Sequence, residues 1–218
     1  MVDFSVHRRK MVDSQLRTSD VTDQVVLAAM GEVAREDFVA PERRELAYID
    51  EEQPVPGGAS PRVMLRPYVF GKLLQLAEPQ AGERVLVVGS ATGYEAAVLA
   101  HIAGQVTALE CDAALAEASR ARLSAFRNVS LVIGPLAAGW PAGGHYDVII
   151  VLGAVEDGLD GLKAQLAIGG RLVVIEGTGN AGVAQLYTRG DVGISGRFAF
   201  NAATRVLPGF GKPKAFVF

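Results

Sequence analysis

From residue 84 onward, short apolar runs rich in β-branched residues alternate with segments of helical character. Near-continuous apolar strands joined by helices are typical of a parallel sheet that is covered on both faces. The alternation therefore predicts an α/β fold with a mostly parallel sheet. The predicted strands are 84–88, 105–110, 129–134, 147–152 and 171–176, and the predicted helices lie around 94–103, 113–126 and 158–167.

After residue 176 the pattern changes. The segments "VAQLYTRG" and "GRFAFNAATRV" are separated by Gly190, Gly193 and Gly196. Glycines between two short apolar runs favour a hairpin, so an antiparallel strand pair is expected here. The terminal "KAFVF" is expected to form a further strand.

The region before the sheet divides into two parts. Residues 1–53 are predicted to be a helical extension, in which Thr22 or Asp20 is expected to cap the helix "VTDQVVLAAMGEVAREDF". Residues 54–67 are rich in proline and glycine, which excludes a continuous helix or a central strand. Loops of this length are often lids or binding segments. Residues 68–218 complete the predicted α/β domain.

Composition excludes several classes of protein. The chain has 218 residues, a net charge of −3, one cysteine and three dispersed histidines. The mild acidity argues against a nucleic-acid binder, and the Cys and His content argues against a metal site. No apolar run approaches about 18 residues and the N-terminus lacks a signal-peptide core. We therefore expect a cytoplasmic protein with neither nucleic-acid nor membrane partners, and leave its oligomeric state open.

The segment "VLVVGSATGYEAAVLA" predicts a strand, a glycine turn and a helix. Such a turn lies at the carboxyl end of a parallel strand, where ligands bind. No P-loop lysine follows Gly93, so the sequence gives no support for ATP or GTP hydrolysis. Glu110 lies 21 positions after Gly89, where a carboxylate can accept hydrogen bonds from both ribose hydroxyls of an adenosine. S-adenosylmethionine fits these features, whereas the 2′-phosphate of NADP would be repelled by Glu110.

Each of these features also has a purely structural interpretation. A glycine turn is often only a tight connection, and an acidic residue at a strand end is common. Their combination at this spacing favours a bound cofactor. Cys111 and Trp140 are expected to pack beside the site or in the core, although Trp140 could stack on a ligand, and His145 is expected to be exposed.

The N-terminal segment resembles a known family. The residues that carry the likeness are Met11-Val12, Gln15-Leu16, Ala29-Met30, Arg35-Glu36, Phe38-Val39, Ala47-Tyr48 and Asp50. They match the start of protein-L-isoaspartate O-methyltransferases, and "GYEAAVLA" and "QLAIGGRLVV" resemble the cofactor helix and a late strand of that family. The likeness extends from about residue 11 to residue 176.

The resemblance implies a Rossmann-like methyltransferase with a mostly parallel seven-stranded sheet and helices on both faces. Members transfer a methyl group from S-adenosyl-L-methionine to the carboxylate of isoaspartyl residues in damaged proteins, which leads to repair. The substrate would be an isoaspartyl protein or peptide, covered by residues 54–67. No catalytic residue and no metal ligand is assigned. The cofactor-binding residues would be Val88, Gly89, Ser90, Ala91, Gly93, Tyr94, Glu110, Cys111, Gly134, Pro135 and Leu136.

The sequence departs from the family pattern in three functional places. Leu65 takes the position of a serine near the transfer site, Val87 replaces an acidic residue, and Pro135 replaces the aspartate expected at the adenine. In addition, Ala91 adds a methyl group where the backbone would need a positive φ, at a cost of about 1 kcal/mol. Two alternatives therefore stay open: a weakened or inactive homologue that acts as a binding or regulatory protein, and a methyltransferase with another acceptor.

Overall fold

The structure, a computed structural model, describes residues 2–212 apart from the side chain of Asn180. The strand expected at "KAFVF" lies outside this range. The N-terminal region contains helices α1 (Phe4–Met11) and α2 (Gln24–Glu32), joined by a π-helical turn and a 3-10 turn. The expected cap of α2 at Thr22 or Asp20 is wrong. Asp23 caps the helix, because its Oδ1 accepts from the amides of Val25 (2.8 Å) and Val26 (3.1 Å).

The proline-rich segment forms a small antiparallel ribbon. Strands β1 (Gln53–Val55) and β2 (Arg62–Met64) pair with Gln53 opposite Met64 and Val55 opposite Arg62. The turn between them contains Gly57 at φ +88°, a value that favours glycine. Helix α3 (Pro67–Ala77) follows, with Pro67 in its first turn, where a missing amide costs nothing. The ribbon stays separate from the main sheet.

The main sheet has seven strands in the order β5-β4-β3-β6-β7-β8-β9. Strands β3 to β7 are parallel to one another, while β8 runs antiparallel to both β7 and β9. The predicted mostly parallel sheet is therefore confirmed, and the expected hairpin after residue 176 is present. The strands are β3 (Arg84–Val88), β4 (Gln105–Glu110), β5 (Val129–Ile133), β6 (Tyr146–Val155), β7 (Leu166–Glu176), β8 (Val183–Arg189) and β9 (Ile194–Asn201).

Helices cover the two faces of this sheet. They include α3, which packs against β6, β7 and β8, together with α4 (Tyr94–Ala100), α5 (Ala113–Leu123) and the short α6 (Asp160–Lys163). Along β3, Val85 and Val87 pack into a core shared with the N-terminal helices, and Leu86 and Val88 pack into the core on the opposite face. Both faces of β3 are buried, as a central parallel strand requires. The helices in the described residues all fall short of the length and apolar character that a membrane crossing demands.

The strand order places a crevice beside β3. The chain passes from β3 to β4 and β5 on one side, and then continues to β6 on the other side of β3. Connections that leave neighbouring strands in opposite directions open a crevice at their carboxyl ends, where ligands bind in such sheets. The turn after β3 lies at this point.

Candidate functional site

The turn that follows β3 is tight and is held by the neighbouring strand. The amides of Gly89 and Ser90 both donate to the carbonyl oxygen of Leu109, at 2.9 and 3.0 Å. Gly89 and Gly93 have φ values of +84° and +89°. The two glycines thus allow the chain to reverse between the end of β3 and the first turn of α4.

Ala91 adopts a left-handed conformation with φ +45°. The positive φ expected at this alanine is therefore present, and its Cβ costs about 1 kcal/mol relative to glycine. The conformation points the Ala91 amide at Glu110, whose Oε2 accepts from it at 2.8 Å. Backbone strain in the turn is thus offset by a charge-assisted hydrogen bond.

Glu110 ends β4 and is completely buried. Its Oε1 accepts from the amides of Cys111 (2.8 Å) and Asp112 (3.1 Å), and its Oε2 accepts from Ala91. The carboxylate therefore lies against the turn, in the position that the sequence predicted for an acceptor of sugar hydroxyls. A buried carboxylate needs such partners to remain charged.

Arg62, which lies on β2, forms a buried ion pair with Glu110. Its Nη1 donates to Oε1 at 2.8 Å and its Nη2 donates to Oε2 at 3.1 Å, and the two side chains are 3% and 0% exposed. Nη2 also donates to the carbonyl oxygen of Gly89 at 3.0 Å. A guanidinium thus engages both oxygens of the carboxylate and the backbone of the turn.

Leu207 closes the same space from the other side. The segment that carries it runs along the end of β6, with the Ala154 amide donating to the Arg205 carbonyl (2.8 Å) and the Leu207 amide to that of Ala154 (3.0 Å). A methyl group built on Gly89 would lie 2.9 Å from Arg62 Nη2 and 3.1 Å from Leu207 Cδ1. The space left above the turn by the missing side chain of Gly89 is therefore filled by Arg62 and Leu207.

The other residues of the predicted site surround this cluster. Val88 is buried in the core, and the Ser90 Oγ and the Tyr94 hydroxyl are buried without a hydrogen-bond partner. Burial, together with the adjacent Glu110 carboxylate, raises the pKa of the half-buried Cys111 thiol. The structure therefore brings the turn and the end of β4 together as predicted.

The segment after β5 lies farther along the same edge. The Gly134 amide donates to the Glu110 carbonyl oxygen at 3.0 Å, Pro135 precedes a short 3-10 turn, and Leu136 is buried. The Trp140 ring packs close to Gly134, at 3.5 Å from the position of a Cβ there. Trp140 is partly buried against the core, and His145 is exposed, as expected.

The three departures from the family pattern leave apolar groups near the turn. Leu65 is buried, and its carbonyl oxygen accepts from Arg35 Nη2 at 2.7 Å. Val87 is buried within β3. Pro135 has no amide to donate. No hydroxyl or carboxylate therefore stands at these three positions.

The hydrogen-bonding groups at this site match an adenosine sugar, but the space above Gly89 where it would lie is occupied. The Glu110 carboxylate is the acceptor that two adjacent hydroxyls need, and the Ser90 Oγ of the turn is buried without a hydrogen-bond partner. Arg62 and Leu207 occupy the space above Gly89. The Glu110 carboxylate therefore fits the hydroxyls of the sugar, and in this structure Arg62 bonds to the same two oxygens.

Two important site residues have no local sequence signature. Arg62 lies 48 positions before its partner Glu110, and Leu207 follows the predicted hairpin. Both reach the turn only through the tertiary fold. A basic residue inside a proline-rich loop is the only hint that the sequence offers for Arg62.

Comparison with solved structures supports the fold. A protein-L-isoaspartate O-methyltransferase structure superimposes with a TM-score of 0.81 at 24% identity, over 93% of this chain and 66% of that one. This chain thus spans slightly less than two thirds of that structure's length. A Plasmodium falciparum protein of the same name, in complex with S-adenosyl-L-homocysteine, gives a TM-score of 0.78 at 19% identity, over 92% and 97% of the two chains. The Rossmann-like methyltransferase fold expected from the sequence is confirmed.

Sequence comparisons identify the family. A protein-L-isoaspartate O-methyltransferase 1 from Rhodopseudomonas palustris (strain HaA2) is 42% identical over 173 residues, which cover 78% of this chain and 69% of the relative. A relative from Methylorubrum populi is 42% identical over 168 residues, or 77% and 78% of the two chains. The model of the family described as protein-L-isoaspartate(D-aspartate) O-methyltransferase matches residues 7–201. The resemblance seen in the N-terminal motifs is thus confirmed, and the chain belongs to the protein-L-isoaspartate(D-aspartate) O-methyltransferase family.

Proposed function

We propose that this protein is an S-adenosyl-L-methionine-dependent methyltransferase that acts on the carboxylate of isoaspartyl residues in damaged proteins. Its family membership and the relatives named above support this function. The observation that carries it is the buried Glu110 carboxylate, held by the Ala91, Cys111 and Asp112 amides beside the glycine turn. This is the acceptor that an adenosine sugar requires at the end of a second parallel strand.

The cofactor would be bound along the edge formed by β3, β4 and β5. Glu110 and Cys111 would lie at the sugar, and the segment after β5 would lie at the adenine. When bound, the cofactor supplies an activated methyl group on a sulfonium. The proposed binding residues are Val88, Gly89, Ser90, Ala91, Gly93, Tyr94, Glu110, Cys111, Gly134, Pro135 and Leu136.

Methyl transfer to a carboxylate places modest demands on the protein. The acceptor is already ionised at pH 7, so no strong general base is needed. Alignment and the exclusion of water account for the rate. We assign the covering role to residues 54–67, whose ribbon carries Arg62 onto the turn. With Leu65 at the position of the family's serine, the acceptor would be held by shape and backbone groups.

We also propose that the protein acts in the cytoplasm. Its bacterial relatives carry the name of an enzyme that acts on proteins, and its one cysteine, Cys111, is free. A free, half-buried thiol is compatible with a reducing compartment. Fractionation of cells that express the tagged protein would test this location.

Calorimetric titration with S-adenosylhomocysteine tests the cofactor site. We expect binding to the wild-type protein and at least a tenfold loss of affinity in Glu110→Gln, because a carboxamide offers one acceptor oxygen where the carboxylate offers two. Glu117→Gln is the matched control, since Glu117 is 72% exposed on α5. Circular dichroism would verify that each variant is folded. Absence of binding at millimolar ligand, both by wild type and by a folded variant in which Arg62 no longer pairs with Glu110, would eliminate the proposed activity.

A peptide assay then tests the acceptor. The protein is expected to methylate an isoaspartyl peptide and to leave the matching normal aspartyl peptide unmodified. Methylation of both peptides, or of neither by a protein that binds the cofactor, would point to another acceptor. The readout is transfer of a labelled methyl group into base-labile ester.

A second candidate is a binding or regulatory protein on the same scaffold, without catalysis. The Arg62 and Leu207 side chains over Gly89, together with Leu65 and Pro135, favour it. The double variant Leu65→Ser/Pro135→Asp separates the two candidates. A weakened enzyme should gain methyltransferase activity, and a repurposed protein should gain none. Leu65→Ala/Pro135→Ala controls for lost volume, because it shortens both side chains without adding the polar groups.

A further inference from the structure

Arg62 holds both oxygens of the carboxylate that the proposed function reserves for the cofactor's sugar. The Nη1–Oε1 and Nη2–Oε2 distances of 2.8 and 3.1 Å describe a two-pronged pair. Two adjacent hydroxyl groups of a ribose donate in the same way, each to one oxygen. The guanidinium and the sugar therefore compete for the same two oxygens of Glu110 and cannot both bind them.

We propose that Arg62 is a latch on the cofactor site: it takes the place of the adenosine sugar on Glu110, and the nucleoside binds only after the Arg62 side chain turns away from the carboxylate. The latch rests on the proposed function, since it regulates that same site. It makes the protein's affinity for the cofactor depend on a residue that lies outside the cofactor-binding set.

The closed state is stabilised by several contacts at once. Arg62 pairs with a fully buried carboxylate and also donates to the Gly89 carbonyl oxygen at 3.0 Å. A bidentate guanidinium–carboxylate pair is among the stronger polar contacts in proteins. Separating the two groups without a replacement would leave a buried charge unpaired, at considerable cost.

The exchange of arginine for sugar avoids that cost. When Arg62 withdraws, Glu110 keeps the three backbone donors at Ala91, Cys111 and Asp112. The hydroxyls of the sugar then replace the two guanidinium hydrogen bonds. The carboxylate is thus satisfied in both states, which is the condition for a switch between two discrete arrangements.

The ribbon that carries Arg62 is anchored in the core at its strands and is held by fewer contacts at its tip. Each of its strands has three residues, and Gly57 in its turn has φ +88°. Its tip is held by the Ala59 amide, which donates to Asp112 Oδ2 at 2.6 Å, and its base by the exposed pair between Arg66 and Glu51. A two-stranded ribbon of this size has little stability of its own. Because Val55 and Met64 are buried in the core, the strands stay in place, and Arg62 leaves Glu110 by a change in its own side-chain conformation.

Titration of Arg62 variants with S-adenosylhomocysteine tests the latch. In Arg62→Met the side chain keeps apolar bulk and loses its donors, so the dissociation constant should fall about tenfold or more as the competing state is removed. Arg62→Lys retains the positive charge without the paired donors of the guanidinium, and it should give a smaller gain in affinity for S-adenosylhomocysteine. Arg120→Met, which removes an arginine that is 55% exposed on α5, should bind like wild type.

S-adenosylhomocysteine is the suitable probe because it lacks the sulfonium charge. Removing a cation next to the site therefore does not by itself attract it. A merely structural role for Arg62 predicts weaker binding in both variants, since loss of a buried pair disorders the site. Arg62→Lys keeps a cation beside Glu110, so it tests the latch even where Arg62→Met folds poorly.

The outcomes separate the latch from the proposed function. Tighter binding in the order Met, Lys, wild type supports the latch, including the case in which wild type shows no binding. Equal or weaker binding in both Arg62 variants, with wild type binding, overturns the latch alone. If wild type and both folded Arg62 variants all fail to bind at millimolar ligand, the proposed function and the latch are overturned together.

Discussion

At the scale of single residues, the protein seals several polar groups inside its core. Arg35 is completely buried, donates to the Ala47 carbonyl oxygen at 2.8 Å, and places its guanidinium 4.8 Å from the centre of the Tyr94 ring. Burial raises the pKa of Tyr94 to about 12, although Arg35 opposes the shift. Burial also raises the pKa of Glu95, whose Oε1 has no hydrogen-bond partner. Such groups link ionisation to folding.

Glu95 should make stability depend on pH. In the unfolded chain its pKa is about 4.3. The folded state holds the Glu95 proton more tightly than the unfolded chain does. The resulting contribution to the free energy of unfolding is fully present below the unfolded pKa and is lost as the pH rises through the raised pKa of the folded state. Glu95→Gln cannot lose a proton. We therefore expect the free energy of unfolding of E95Q, relative to wild type, to increase between pH 4 and pH 7.

Urea unfolding at several pH values measures this difference. Glu117→Gln is the control, since that side chain is 72% exposed on α5, and it should show little change with pH. If the difference in free energy of unfolding between E95Q and wild type stays constant from pH 4 to pH 7, the raised pKa of Glu95 is contradicted.

At the scale of elements, the strands were predictable because their patterns are local. Residues 84–88 and 105–110 have the predicted bounds, since a buried parallel strand requires a continuous apolar run that any window reveals. Strand β7 begins at Leu166 rather than 171, because Gly169 and Gly170 interrupt the apolar pattern without ending the strand.

The site was only partly predictable for the same reason. The glycine turn and Glu110 follow directly from the strands that precede them. Arg62 and Leu207 arrive from segments with no periodic pattern, and their contacts depend on how the ribbon and the chain after β9 fold across the sheet edge. Contacts between distant, irregular segments leave no imprint on local sequence.

Helix α2 offers a test at this scale. Asp23→Ala removes the Oδ1 that accepts from Val25 and Val26, and should lower the free energy of unfolding by about 1 kcal/mol. Thr22→Ala is the control, because the Thr22 hydroxyl is exposed and makes only a 3.4 Å contact with Gln75. Urea denaturation measures both variants. A larger loss in Thr22→Ala than in Asp23→Ala would show that the cap is misassigned.

At the scale of the whole molecule, the N-terminal helices share one core with the sheet. Met11, Leu16 and Met30 belong to the same buried cluster as Val148 and Val173 of the central strands. The opposite face has a second cluster, against which Trp140 packs. Because the strands contribute side chains to both clusters, we expect the chain to unfold in one cooperative step.

Met11→Ala tests this coupling. Met11 is 1% exposed, and truncation of such a buried side chain costs about 2–5 kcal/mol. The unfolding midpoints reported by far-ultraviolet circular dichroism and by Trp140 fluorescence should shift together, although Trp140 lies against the other face. Val6→Ala, at a position 41% exposed on the same helix, should shift neither. A Trp140 transition that stays in place would mean that the two faces unfold separately.

The shared core has a consequence for how the protein is made. Synthesis proceeds from the N-terminus, so Met11, Leu16 and Met30 leave the ribosome long before Val148 and Val173, which belong to the same buried cluster, have been translated. Leu16 and Met30 can pack against helix α3, around Gly71, once that helix has emerged, but the part of their core that the central strands supply is still missing. The shared core is therefore completed only when the later strands emerge.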